Sequence, residues 1–226
     1  VHPDERRVKP GISAERQQRR AERRAEMVQA AIEAVRAHGP GVSVAELAAA
    51  AGITKPVLYR HFTDRADLQR AVGEKAAEML LNRMAPEMDP NRDPIQLIRG
   101  VIDAFLAGIE AEPELWRFVV HHPIEREAGA EIVEDARQRI ARLLAMIIGE
   151  RVRALGLDSG GAEAWAQGLV GMVQSAGDWW LERRTMSRTA LTDYLTTLIW
   201  GGISGVIAMA DRPAPFPAPA SEVDHA

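Results

Sequence analysis

Lys55, Tyr59, Arg60 and His61 stand within seven consecutive positions of a 226-residue chain. An ammonium, a phenol, a guanidinium and an imidazole offer hydrogen-bond donors and positive charge. They contain no strong nucleophile. Such a set is suited to gripping an anionic, hydrogen-bonding surface rather than to breaking a covalent bond. Arranged on the outer side of one short helix, it would meet phosphates and base edges of nucleic acid.

The elements that must hold these side chains can be read from Val42 to Leu68. Ser43 followed by Glu46 predicts a capping box at a helix start. Val44, Leu47, Ala48 and Ala51 recur at helical spacing and give that helix one apolar face. Gly52 supplies the left-handed residue that ends it, and Ile53 plugs the turn. Thr54 is the expected N-cap of the next helix, with Pro56 in a first turn that loses no backbone bond to it. This helix is expected to run through Val57 to Phe62, with Leu58 and Phe62 inward. Two short helices joined by a glycine turn are the grammar of a helix-turn-helix, whose second helix enters the major groove.

The string GITKPVLYRHFTDRADL resembles the signature of the tetracycline-repressor family of bacterial transcription factors, with a close match over Ala25–Gln69. In that family a segment L-Y-x-H-F, a short turn and a basic residue close the DNA-binding head. Here it stands as Leu58-Tyr59-Arg60-His61-Phe62, then Thr63-Asp64-Arg65. The resemblance implies that Tyr59 and His61 contact phosphates and that Thr54, Lys55 and Val57 lie near bases. Arg65 matches a phosphate contact usually made by lysine. With Ser43 and Arg60, these are the candidate DNA-binding residues. The outer part of this helix varies in the family, so the operator is not legible.

Charge distribution agrees with a nucleic-acid partner, although the net charge is −4. Residues 1–75 carry 14 Lys and Arg against 10 Asp and Glu, and the remainder carries 14 against 22. A head of +4 joined to a body of −8 is expected when one end meets DNA. With no cysteine there is no disulfide, thiolate metal site or cysteine nucleophile. The first residues are charged and show no signal-peptide pattern, so a cytoplasmic location is expected. His121-His122 are the one pair that invites a metal test. Neighbours point about 100° apart on a helix, and no H-E-x-x-H spacing accompanies them. No metal, cofactor or catalytic activity is expected: no Gly-rich phosphate loop and no acid–base pair is visible.

Along the chain the pattern predicts an all-α fold of about nine helices. Residues 1–13 are expected to form a disordered arm, 14–70 the helix-turn-helix domain, 71–210 a ligand-binding and dimerisation domain, and 211–226 a disordered tail. Ala14–Arg24 holds Arg16, Arg19, Arg20, Arg23 and Arg24, a basic extension able to add phosphate or minor-groove contacts. The first helix continues to His38 through Val28, Ala31, Ile32 and Val35, supporting a three-helix head. Asp64 is expected to cap the helix that joins head to body. Further helices are expected over 95–111, 114–120, 131–155, 162–184 and from about 188 to 209. Residues 195–210 are apolar nearly all round, but are too few to span a bilayer.

Useful affinity from one such head needs a second half-site and therefore a homodimer. The resemblance implies a four-helix interface made by the last two long helices. The candidates are Leu169, Val173, Ala176, Trp180, Leu195, Ile199, Gly202 and Val206. It also implies that the middle helices enclose a small molecule whose binding releases DNA, as repressors of the family commonly do. Phe105, Ile109, Trp116, Phe118, His121, Met146, Trp165, Met172 and Trp179 are the candidate lining. Apolar stripes with few unpaired charges suit a lipophilic effector such as a fatty acid or an acyl thioester. Expected partners are thus double-stranded DNA, a second copy of the chain and this effector, with no membrane. Alternatives are a DNA-binding regulator without a ligand, an activator, or an enzyme on a helical bundle.

Overall fold

A computed structural model describes residues 10–120 and 126–209, with side chains from 14 to 120 and from 134 to 208. Among these residues there are nine α-helices and no strand. In order they are α1 Pro10–His38, α2 Val44–Ala50, α3 Lys55–Leu58, α4 Arg65–Met84, α5 Pro94–Ala111, α6 Pro113–Val120, α7 Arg126–Ala154, α8 Ala162–Arg183 and α9 Arg188–Met209. A single 3₁₀ turn, Ala85–Glu87, follows α4. None of the described helices is long and apolar enough to cross a membrane.

Several boundaries differ from the sequence reading. Pro10–Ser13, expected in a disordered arm, belong to α1, because proline at a helix start gives up no backbone bond. Residues 1–9 and the expected tail lie outside the described residues. Helix α7 starts at Arg126 rather than Glu131. The expected domain division after Arg70 falls inside the unbroken α4.

The described residues fold as two compact units, one within 10–82 with 109–120 and 126–136, the other within 83–108 with 137–209. In the first, one core joins Met27, Val28, Ala31, Ile32 and Val35 of α1 to Leu47 and Ala48 of α2, Leu58 of α3 and Leu68 and Val72 of α4. Leu115, Phe118 and Val119 of α6 complete it. Phe118, expected as ligand lining, is buried in the head core: one apolar face of α6 lies on α1. An ion pair reinforces that seam. Arg36 donates from Nε to Glu112 Oε2 at 2.8 Å and from Nη2 to Glu112 Oε1 at 2.5 Å. Glu112 precedes α6 and its carbonyl accepts the Trp116 N–H at 2.9 Å, so one residue both starts α6 and tethers it.

The second unit is tied by pairs between α5 and α9, Arg188 to Asp103 at 2.8 Å and Arg99 to Asp193. Phe105 is buried on α5, and Leu191, Leu195 and Ile199 are buried on α9. Gly100 sits where a Cβ would run into the carboxylate of Glu87, itself paired with Arg92.

The turn after α2 shows why a glycine is needed. Gly52 has φ +66 and the Ile53 N–H reaches the Ala48 carbonyl at 3.0 Å, while the Gly52 N–H reaches Ala49 at 2.9 Å. This paired closure requires a left-handed residue, costing about 1–2 kcal/mol for one with a Cβ. Gly52→Ala is expected to lower the stability of the head by that amount in urea titration followed by circular dichroism. Gly41→Ala, with open space around its Cβ and no positive φ, should leave the midpoint within about 0.5 kcal/mol of the parent.

Candidate nucleic-acid interface

The capping box predicted at the start of α2 is present. Glu46 N–H donates to Ser43 Oγ at 3.3 Å and Ser43 N–H to Glu46 Oε2 at 2.8 Å. The backbone bond from Ser43, then the contact with its side chain, hold the Glu46 carboxyl below its ordinary value. The stabilisation is present above the unfolded carboxylate range and is lost as pH falls through the folded value. Ser43 Oγ is thereby used as an acceptor.

Thr54 occupies the N-cap of α3, but its hydroxyl makes no capping bond; it is exposed. The α-helical part of α3 is four residues, Lys55–Leu58, rather than a helix through Phe62. Beyond it the chain tightens: the Arg60 N–H bonds to Val57 at 3.2 Å and the His61 N–H to Leu58 at 2.9 Å. The Phe62 N–H returns to Leu58 at 3.1 Å. Pro56 lies in the first turn and Leu58 points into the core. Consequently Thr54, Lys55, Tyr59 and Arg60 stand exposed while Val57 and His61 are half-buried. The Nδ1 of His61 is buried without a partner, so its exposed side must carry any outward bond. Arg65 is half-buried at the start of α4 and has an interaction of its own.

What fixes this outer face is the turn behind it. The Asp67 N–H bonds to Asp64 Oδ1 at 2.7 Å, the cap expected for α4. Asp67 in turn accepts the Thr63 N–H at 2.9 Å, the Thr63 hydroxyl at 3.2 Å and Arg24 Nη2 at 2.7 Å. Arg24 also stacks on the Phe62 ring, 4.3 Å from its centroid. Phe62 is core, so α1 and the α3–α4 turn are locked about one aromatic side chain. These are the positioning groups that spacing did not reveal: Arg24 and Asp67 are 43 positions apart, and neither stands out from its neighbours in the sequence. The assembly presents exposed donors along one short helix and the turn after it, a set suited to contacting an anionic surface.

The remaining site candidates separate by burial. Trp180, read as interface, is 1% exposed, with its Nε1–H donating to the Met186 carbonyl at 2.8 Å. Leu195 and Ile199 are also buried in their own chain. These three are core. The exposed apolar line of α9 is one residue out of register from the expected one: Tyr194 at 66% and Leu198 at 62%, continued by exposed Gly201 and Gly205. Gly202 and Val206 are exposed as well, and Leu169, Val173 and Ala176 of α8 are half-buried. Among the proposed lining, Met146, Trp165 and Trp179 face out of the single chain, whereas Phe105 and Ile109 are buried. Trp116 and Met172 are half-buried, and His121 lies outside the described residues, as does His122. No cluster of metal-ligating side chains occurs among the described residues.

Comparison with known proteins agrees with this picture. Residues 28–72 match the family described as bacterial regulatory proteins, tetR family. Residues 83–215 match a tetracyclin repressor-like C-terminal domain. An HTH-type transcriptional regulator of Mycobacterium tuberculosis is 36% identical over 208 residues, covering 89% of this chain and 88% of its own length. The HTH-type transcriptional activator FasR of Mycolicibacterium smegmatis is 27% identical, covering 83% and 85%. The structure of the regulator FadR from Bacillus subtilis, in complex with stearoyl-CoA, superposes with a TM-score of 0.62 at 17% identity, covering 79% and 98%.

Proposed function

The chain belongs to the tetracycline-repressor family of helix-turn-helix transcriptional regulators, and from that premise we propose that it acts as a cytoplasmic, homodimeric repressor released from its operator by a lipophilic acyl ligand. The observation that carries the dimer is the exposed apolar line of α9, Tyr194 and Leu198 followed by Gly201 and Gly205. An exposed apolar stripe edged by small residues suits close approach of a partner helix. A second copy would supply the second head that two half-sites need. In this reading Thr54, Lys55 and Val57 read bases, and Tyr59, His61 and Arg65 hold phosphates.

The acyl ligand is supported by the chemistry of the second unit. Its core is aliphatic and aromatic, with Phe105, Val101 and Leu106 on α5. It also contains Thr192 and Thr196, buried one turn apart with hydroxyls lacking a partner. A thioester or carboxyl oxygen reaching them would relieve that deficit. Similarity of fold to the FadR structure bound to stearoyl-CoA points the same way. Release then requires tighter ligand binding to the DNA-incompetent state, commonly by about 1–3 kcal/mol.

Titrating operator-bound protein with stearoyl-CoA tests the proposal. Loss of fluorescence anisotropy at micromolar ligand, absent with free coenzyme A, is expected. Unchanged DNA binding with no protein–ligand heat would remove the acyl reading. An activator is the second reading, favoured by similarity to FasR, a transcriptional activator. Transcription in vitro from the chain's own target promoter decides between them: added protein lowers transcript in the first case and raises it in the second.

A further inference from the structure

We propose that the N-terminal half of α1 is a second DNA-contacting surface, whose arginines hold phosphates of the duplex flanking the half-site met by α3. The inference rests on the DNA-binding reading of the head and adds to it a partner surface outside the helix-turn-helix.

Residues Ala14–Arg23 are helical and exposed throughout, and the first buried side chain of α1 is Met27. A helix with no core to pack on gains little from folding, so its sequence must be explained by its outer face. At about 100° per residue, Arg16, Arg19, Arg20, Arg23 and Arg24 all fall within an arc of about 140°. Glu15, Glu22 and Glu26 are confined to one flank of that arc. Ala14, Gln18, Ala21 and Ala25 make up the opposite side. A merely solvated helix would spread both signs around its circumference; this one carries its positive charge on one side.

Two members of the arc show which way it points. Arg20 Nη2 donates to the Arg60 carbonyl at 3.4 Å, just beyond α3. Arg24 bonds to Asp67 and stacks on Phe62. The arginine side of the helix therefore faces the turn that follows the recognition element. Arg16 and Arg19 continue it away from the core, without a carboxylate partner among the described residues. Arg23 reaches only the exposed Glu26 at 2.6 Å, a pair that phosphate can replace at little cost. From Arg16 to Arg23 the helix rises about 10 Å, close to three phosphate steps along one strand. Guanidinium groups suit that role because each can offer paired donors to a phosphate.

The test uses the full chain carrying Arg16→Gln, Arg19→Gln and Arg23→Gln together. Arg20 and Arg24, which brace the head, are left in place. The DNA is a duplex selected from random sequence by the parent protein, measured by anisotropy over a salt series. The slope of log affinity against log salt is expected to become shallower by about 0.9 per lost contact in each protomer. Affinity at a fixed salt near 0.15 M should fall at least tenfold, while the preference for the selected sequence over a scrambled one stays constant. On a duplex trimmed to the half-sites the difference between variant and parent should vanish. Equal slopes on the long duplex, with unchanged helicity by circular dichroism, would overturn the proposal. A loss that persists undiminished on the trimmed duplex would overturn it also, by placing the contacts inside the half-site. If the parent selects no sequence at all, the reading of the head fails and the proposal fails with it.

Discussion

Leu198→Glu is expected to turn the dimer into a monomer and to lower operator affinity by about a thousandfold, toward the range of non-specific binding. Leu198 is exposed in the single chain, and the nearby Gly202 has nothing within 4 Å of where a Cβ would stand. A carboxylate at position 198 is therefore harmless to the isolated fold. It becomes costly once a second apolar helix covers it, because a buried charge without a partner is among the least tolerated groups. Sedimentation velocity should show half the parent mass while the thermal transition of the variant stays sharp. Ile199→Glu provides the contrast: that side chain is buried in its own chain, so the variant should unfold rather than dissociate. A Leu198→Glu protein that remains dimeric with parental affinity would remove α9 from the interface.

Lys55→Ala and Tyr59→Ala should each weaken DNA binding by roughly ten- to a hundredfold, about 1–3 kcal/mol, but in different ways. Both side chains are exposed, so neither loss is a loss of packing. Lys55 opens α3, the end proposed to enter a major groove, and its removal should alter which sequences are preferred. Tyr59 stands beyond the helical turn, where a phosphate contact is expected. Its removal should weaken all sequences alike. Anisotropy with the selected operator and with single-base variants separates the two patterns. If both substitutions leave affinity and preference intact, α3 is not the reading element.

The head was legible because short-range chemistry determines it. Ser43, Glu46, Gly52 and Pro56 each act within a few residues of themselves, and all four occupy the structural positions their types suggest. Contacts between distant residues were not legible. Arg36 and Glu112 are 76 positions apart, and no local rule links them. The face of α9 was misread for a different reason. When apolar residues surround a helix, periodicity has no contrast with which to choose a side. Leu195 and Ile199 were the natural guess, and polarity gave no better guide, since Asp193, Tyr194 and Thr197 stand exposed while Thr192 and Thr196 are buried. Trp165, Trp179 and Trp180 illustrate the same limit: three similar residues on one helix, of which Trp180 is buried with its indole bonded to the Met186 carbonyl while the other two are exposed.

Glu112 has a consequence for anyone who would recombine regulators. Because it caps α6 and grips α1 through Arg36, and because Leu115, Phe118 and Val119 close the core beneath the reading element, residues 10–82 are not a detachable cassette. A hybrid cut after α4 would leave an oily facet of α1 uncovered and would inherit whatever foreign segment happened to meet it. A transplantable reading unit from this chain must bring residues 109–120 along, as a separate piece of sequence reinserted into the recipient.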